Sequence, residues 1–502
     1  MNWRLAKNAF ANLCRGGAAA VTAMVLPPIL IRHMPAATYA VWVLALQAAA
    51  YLGYLDFGLQ TAVGRYVAFA DERKDEETRD AIFSTAVAGL SFAAVLGVLV
   101  VLVVAFVCQR IFPAVPDALL GPLRWTMVII GISVASGLPA SAWSGVAAGI
   151  QRYDIPAIAI GCGKLASAAG LIIAAVTGQS LTTMGCILGS INIGSYAAQF
   201  LMVRRAAPQV RFRPELITGP IIRELFGYCA SLTVWSFSML LVSGFDVLLV
   251  GRFQFGAVAP YSVSATLITF LAGIQTAVFG VIMPHAATLH AQENPEALGR
   301  LLVRSTRVGL LLLLLTGLPL IYFARPVIGH WIGAQFANEG GKVLAILVFA
   351  NMIRLTGVPY STLLVSTGQQ GAMIVSPLAE GITNIGASIV LGIKYGATGV
   401  ATATLIGAII AVLANLFYNM PRTRNWIAVS QLSFLRHAFL LPLACAAPIL
   451  FVMAAKLEPG IVSERAAGIA LLVSVAGCTA DLLRSLPVAE CCRLLHFRGR
   501  QS

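Results

Sequence analysis

Residues 138–158 read LPASAWSGVAAGIQRYDIPAI, and residues 358–378 read VPYSTLLVSTGQQGAMIVSPL. Each has Pro at its second position, and further on a short turn with Gly and Gln separates two apolar stretches. A second pair is IRHMPAATYAVWVLA at 31–45 and GRFQFGAVAPYSVSA at 251–265. It shares a charged end, a small-residue loop and a Tyr that opens the next apolar stretch. Similarity at two places with the same order along the chain points to an internal repeat. What that repeat builds depends on the solvent around it.

The solvent is lipid. Of the 502 residues, 59% are hydrophobic and 11% charged, and the mean hydropathy is +0.86, outside the range of a water-soluble domain. A hydrocarbon core about 30 Å thick takes roughly 20 apolar residues per helical crossing. Fourteen such segments fit the chain: 11–31, 38–59, 81–108, 124–149, 157–177, 182–203, 225–250, 259–284, 308–324, 343–365, 373–393, 398–420, 438–455 and 466–480. The repeated stretches then join span 1 to 7, 2 to 8, 4 to 10 and 5 to 11. A shift of six is even and preserves orientation, so the repeats are parallel, related by an axis along the membrane normal. The expected fold is an all-α integral membrane protein with about 14 transmembrane helices. It has two pseudo-symmetric six-helix lobes plus two C-terminal helices. The N-lobe is 1–205, a cytoplasmic linker 206–224, the C-lobe 225–420, and 421–502 holds the two additional spans and a basic cytoplasmic tail. Two lobes flanking a cleft suit alternating access, which makes a transporter the leading class.

Loop charge gives the orientation. With the N-terminus inside, 23 of the 34 Lys and Arg fall on the cytoplasmic side and 9 on the other, while Lys164 and Arg354 lie within spans. Both termini are therefore expected in the cytoplasm. The formal net charge of +14 reflects this asymmetry and an attraction to anionic lipid headgroups, so it gives little reason to invoke nucleic acid. The first residues have the basic flank of a signal sequence, and PAATYA is a weak cleavage site. The first span is nevertheless expected to be retained, because the loop-charge count needs it. The nine cysteines contain no CxxC pair and read as packing residues. Adjacent Cys491 and Cys492 have a lipidation reading beside the plainer one. No loop exceeds about 25 residues, and GxxxxGK[ST], HExxH and DxD are all absent. The expectation is a non-enzyme without cofactor or metal. No span reads as carrying an uninterrupted polar face, which argues against a channel.

Five stretches, LPPILIRHMPAATYAVWVL, YLDFGLQTAVGRYVA, AGIQRYDIPA, FDVLLVGRFQFGAVAPYSVSATL and KYGATGVATATLIG, together resemble polysaccharide-biosynthesis flippases of the O-antigen and capsule type. These belong to the multidrug, oligosaccharidyl-lipid and polysaccharide exporter (MOP) superfamily. The resemblance runs from about residue 8 to 420 and rests on the order and spacing of loose motifs. It implies a protein of the bacterial inner membrane that flips an undecaprenyl-diphosphate-linked oligosaccharide to the outer leaflet during surface polysaccharide synthesis. Its partners would be that substrate, membrane lipids and other polysaccharide-assembly proteins.

A diphosphate-sugar headgroup is anionic and rich in hydroxyls, so its carrier needs cations and polar groups shielded from lipid. Arg354 is the first candidate, near the middle of span 10, where a charge costs about 2.5–3.5 kcal/mol on insertion scales. Asn351, three residues earlier, shares its face and either joins it on the ligand or simply satisfies it. Lys164 in span 5 and Glu380 in span 11 lie at comparable depths in paired helices and have the signs to bridge across a cleft. Lys164 can also snorkel to the interface. Asp246 in span 7 is a candidate for coupling to a proton or sodium gradient, with structural pairing the alternative. Asp56 and Arg65, nine residues apart, would lie on opposite faces of one helix and roughly 13 Å apart along it, so they need separate accounts. Asp56 reads as a local acceptor near a bend at Gly58, with gating as the alternative. Arg65 reads as a positive-inside anchor placed to meet a diphosphate. Arg15 and Arg32, at the two ends of span 1, are entry and exit contacts or boundary anchors. Tyr39, Trp42, Tyr51, Tyr54, Trp143 and Trp235 supply rings for interface belts, packing or stacking on sugar.

Three rivals remain. A cation-coupled multidrug exporter of the same superfamily usually has twelve spans and an acid in an early helix, and span 1 here has none. A peptidoglycan lipid-precursor flippase also has fourteen spans. A membrane glycosyltransferase or polymerase would need a large extracytoplasmic loop with catalytic acids or bases, which is missing.

Overall fold

The structure, a computed structural model, describes residues 3–280, 282–455 and 463–485; the side chains of 3–15, 18 and 370, and of six positions within 231–243, lie outside that description. It divides into two compact units, Met1–Thr266 with Gly392–Val400, and Leu267–Leu391 with Ala401–Ser502. No strand occurs among the described residues.

The first unit holds α1 (Trp3–His33), α2 (Ala36–Ala50), α3 (Leu59–Arg73), α4 (Glu76–Ile111), α5 (Asp117–Gly149), α6 (Asp154–Val176), α7 (Leu181–Ala206), α8 (Gly219–Ser243), α9 (Asp246–Phe253) and the start of α10 (Val258–Gly280). Local chemistry sets the starts. Asp75 accepts the Thr78 amide at 3.0 Å to cap α4, and Glu76 and Glu77 in its first turn complement the helix dipole. Ser180 caps α7 through the Thr183 amide at 3.1 Å. The core is aliphatic and small-residue, built on Leu59, Val63, Phe83, Leu90, Ala142 and Val146. Between α3 and α5 the backbones nearly touch: a Cβ on Gly145 would lie 2.6 Å from the Gln60 carbonyl, and one on Gly149 3.0 Å from that of Gly64. GVAAG at 145–149 is thus a small-xxx-small contact, the kind that lets membrane helices gain dispersion energy where lipid removes the hydrophobic drive.

The second unit holds α11 (Met283–Ala291), α12 (Pro295–Tyr322), α13 (Ala324–Ile332), α14 (Ala337–Leu355), α15 (Val358–Ser366), most of α16 (Val375–Ala414), α17 (Met420–Arg422), α18 (Gln431–Ala438), α19 (Leu440–Ala455) and α20 (Glu464–Ser485). Asn294 caps α12 at the Ala297 amide, with Pro295 at the first helical position, where its missing N–H costs nothing. α12 packs on α14, α15 and α20.

Lipid exposure is visible on single helices. Phe92, Val95, Leu99, Val103 and Phe106 form one outward row on α4, with Phe106 84% exposed, a surface no soluble domain tolerates. All fourteen expected segments fall on helices. Yet ten helical runs among the described residues are long and apolar enough to cross a membrane, or eleven counting the bent pair α18–α19. Two causes separate these counts. Expected spans 11 and 12 count as one run, Gly371–Arg422, yet its backbone turns at Gly396 (φ 59°, ψ −136°) and the two halves pack on each other, Ser376 donating to the Ala411 carbonyl. The described part of the first span is short, Ala19–His33, and the seventh, on α8, has part of its side chains outside the described residues.

Within the first unit, segments assigned to the same side of the membrane meet. The Arg79 guanidinium donates to the Gln209 carbonyl at 2.8 Å, and Asp80, fully buried, accepts the Arg211 amide at 3.1 Å and pairs with Arg213 at 3.3 Å. Those residues belong to the expected second and sixth loops, both even. At the odd-numbered loops, Arg252 donates to the carbonyls of Arg110 and Ile111 at 3.0 Å each.

The two turns of the opening repeat are built alike. Arg152 N bonds Ala147 O and Gln369 N bonds Leu364 O, closing each helix with a left-handed residue, Gln151 (φ 60°) and Gly368 (φ 74°). The left-handed residues are three positions out of register with the sequence match, and the short helical turn at Gln370–Met373 takes up the difference.

Candidate functional site

Two islands of polar side chains inside the apolar helices, one in each unit, hold the expected site residues Asp246, Asn351, Arg354 and Glu380. The first lies where α8 ends at Ser243 and α9 begins at Asp246. A break at membrane depth strands backbone carbonyls that must find donors. The Gly244 carbonyl is met by Gln47 Nε2 at 3.2 Å and by the Tyr51 hydroxyl, both from the α2 side of the fold. Asp246, 8% exposed, opens α9, where the helix dipole favours a carboxylate, and accepts from the Tyr261 hydroxyl at 3.3 Å. Phe245 stacks obliquely on Tyr51. Arg252, six residues after Asp246, is engaged with the Arg110 and Ile111 carbonyls.

The second island is on α14 and α16. Arg354, in the last turn of α14, donates from Nη2 to Asn351 Oδ1, and Asn351 in turn donates to the Leu347 carbonyl at 2.8 Å. Arg354 Nη1 lies 3.9 Å from Glu380 Oε1, with the Glu380 side chain 6% exposed and the Arg354 side chain 23%. Three of the expected site residues are thus brought together. Glu380, expected opposite Lys164, meets Arg354 within its own unit instead.

Glu380 also belongs to a row that the sequence reading did not pick out. Ser376, Glu380, Asn384 and Ser388 recur every four residues on α16, all buried, with Ser388 donating to Asn384 at 3.4 Å and Ser376 to the Ala411 carbonyl at 3.1 Å. The expectation that no span carries a continuous polar face is therefore corrected. Steps of four drift only about 40° per repeat, so the spacing alone would have shown the row. Gly407 keeps the second half of α16 close to it: a Cβ there would lie 3.2 Å from both the Glu380 carbonyl and Asn384 Cβ.

The remaining candidates stand apart from these islands. Asp56 closes a short 3-10 turn, Tyr51–Asp56, ahead of two left-handed residues, Phe57 and Gly58, and accepts from Ser141 at 2.8 Å. That is the local acceptor role at a bend. Arg65 is exposed on α3 with its guanidinium 5.0 Å from the centre of the Tyr228 ring. Lys164 is exposed on α6, and Arg32 in the last turn of α1. The side chains of Arg15 and Trp235, and Cys491 and Cys492, lie outside the described residues. Tyr39 and Trp42 are core residues, and Trp143 is wedged edge-on between Phe83 and Phe200, which leaves these three no face for a sugar. No group of metal-ligating side chains occurs among the described residues.

Residues 162–339 match a family model described as polysaccharide biosynthesis protein. The chain is similar in structure to the lipid II flippase MurJ in an inward closed conformation (TM-score 0.68, 15% identity, 94% of this chain and 97% of that one). It is also similar to an inward-facing multidrug resistance MATE family transporter of the MOP superfamily (TM-score 0.62, 14% identity, 80% and 98%). A third is a MOP superfamily transporter from Pyrococcus furiosus whose binding pocket has reversed polarity (TM-score 0.54, 13% identity, 84% and 96%). The chain has the MOP fold. The resemblance carried by the sequence motifs is borne out at that level, with the all-α membrane architecture it implied. No curated protein matches the chain significantly in sequence. The first island sits at the interruption between α8 and α9, and the α16 of the second leaves helical backbone at Gly396.

Proposed function

We propose that the protein is a flippase that carries a lipid-linked oligosaccharide, held by its diphosphate, from the cytoplasmic to the outer leaflet by alternating access, making and breaking no covalent bond. The observation that carries this reading is Arg354: a partly exposed cationic side chain fixed by Asn351 and Glu380 beside the buried polar row of α16. A guanidinium binds phosphate oxygens through paired N–H donors. The Glu380 carboxylate is the partner that a diphosphate would displace, so the empty carrier avoids an uncompensated buried charge. The match to polysaccharide biosynthesis proteins favours a glycan cargo.

The test is deletion in the native host with analysis of polyprenyl-linked glycans. The reading expects a complete lipid-linked repeat unit to accumulate on the cytoplasmic side, with loss of surface polymer. Unchanged glycans would overturn it. The likeness to a lipid II flippase over 94% of the chain favours a second reading, a peptidoglycan-precursor carrier, which the same experiment recognises by lipid II accumulation. Raised drug sensitivity with normal glycans would instead indicate a multidrug exporter.

A further inference from the structure

We propose that the second unit carries, apart from Arg354, a binding site for phosphate-bearing lipid headgroups. A cavity of about 860 Å³ is lined by Arg300, Arg304 and Arg307 of α12, Arg424 after α17, His437 of α18 and Arg484 at the end of α20. The three arginines of α12 are spaced four and three residues apart and so share one face, where like charges destabilise a helix unless an anion compensates them. Protein anions compensate only in part. Arg307 is bound by the buried Asp481, with Nε donating at 3.2 Å, and Arg300 faces the exposed Glu296 at 3.8 Å. Among the described residues, these five arginines thus share two carboxylates.

The cavity is a built feature. Gly299 lets the 428 loop lie directly on α12, where a Cβ would collide with the Ala428 carbonyl, and the Ala428 amide bonds the Pro295 carbonyl at 2.9 Å. Ser430 and Ser433 add hydroxyls at the start of α18. The volume is that of a drug-sized ligand, room for a headgroup with a second phosphate or a glycerol. The three lining segments are all ones that loop charge assigns to the cytoplasmic face, where basic pockets between membrane helices take anionic headgroups. Two sources supply that chemistry: a resident anionic phospholipid, or the diphosphate of an incoming polyprenyl-linked substrate. The second rests on the flippase reading and the first does not.

The experiment uses the purified full chain in phosphatidylcholine nanodiscs, titrated separately with cardiolipin and with geranylgeranyl diphosphate. Native mass spectrometry reads the adducts. At least one probe should bind saturably and weaken with salt. The double variant Arg304→Gln/Arg424→Gln, at two exposed positions, should bind it at least about tenfold more weakly, as expected when two charge-assisted contacts are lost. Cardiolipin binding alone identifies a resident lipid, and geranylgeranyl diphosphate binding alone a capture station for substrate. Binding of neither probe by the wild-type protein overturns the site without touching the flippase reading, which the deletion decides. An undiminished affinity in a monodisperse double variant overturns it too.

Discussion

Arg354 answers to two partners of unequal flexibility. Asn351 is fixed to it by helix spacing, whereas Glu380 is on another helix at 3.9 Å, so motion of α16 against α14 changes the pair before it changes anything else. Arg354→Ala is expected to abolish transport while folded protein persists, and normal transport by that variant in a deletion strain would remove Arg354 from the site. Asp481 makes a different case. It is buried against Arg307, whose side chain is 28% exposed, so removing it costs part of the roughly 3–5 kcal/mol lost when a fully buried pair is broken. Asp481→Ala should therefore lower the melting temperature in detergent sharply while Arg307→Ala/Asp481→Ala recovers part of the loss. Asp75 is exposed, and the amide and hydroxyl of Thr78 hold its carboxyl below the usual range. A depressed folded value adds stability above the unfolded pKa of about 3.9, and that stability is lost as pH falls through the folded value. Asp75→Asn keeps a cap but removes the charge, so its melting temperature should fall below wild type at neutral pH and converge with it in acid.

At the scale of elements, breaks in helices carry more of the design than helices do. Gly396 has φ 59° and ψ −136° inside α16, and Gln254 Oε1 occupies the place of its missing Cβ while accepting the Ala397 amide at 2.9 Å. A side chain would have to adopt a strained backbone and expel that acceptor, so Gly396→Ala should cost about 1–3 kcal/mol. Thermal unfolding of the detergent-solubilised variant measures it, and an unchanged melting temperature would contradict the strain. These breaks mark the limit of what the sequence showed. Hydropathy placed every span on a helix, because lipid leaves a spanning backbone no other solution. It put a loop between spans 11 and 12, and there the backbone leaves the helix at Gly396, so that Gly407 packs back on Glu380. Arg354 and Glu380 were legible from the cost of burying charge, but their pairing depends on packing between helices. The row from Ser376 to Ser388 is legible from its spacing of four, although two of its members are serines, which apolar helices tolerate singly. Asp80, placed in a loop by its charge, is buried because Arg213 returns to it from far along the chain.

The whole molecule adds a constraint that neither residue nor element supplies, the sidedness of the chain. In the first unit, Arg79 and Asp80 meet the segment 209–213, while Arg252 meets the last carbonyls of α4. Loops of one parity therefore come together, as an even count of spans between them requires. Parity does not say which face is cytoplasmic; the bias of 23 Lys and Arg against 9 does, because basic loops resist translocation. Single cysteines introduced in a background without the native ones convert this into a measurement. Gln209→Cys and Gln292→Cys, both exposed positions, should resist a membrane-impermeant maleimide in intact spheroplasts and react after permeabilisation. Ala114→Cys, exposed in the opposite set of loops, should react in both. Agreement would place the arginine-lined cavity of the second unit on the face where a lipid-linked precursor is made, since 292 and Arg300 share one loop. Reactivity of 209 and 292 in intact spheroplasts would invert the chain, put that cavity on the outer face, and turn the proposed direction of transport into import.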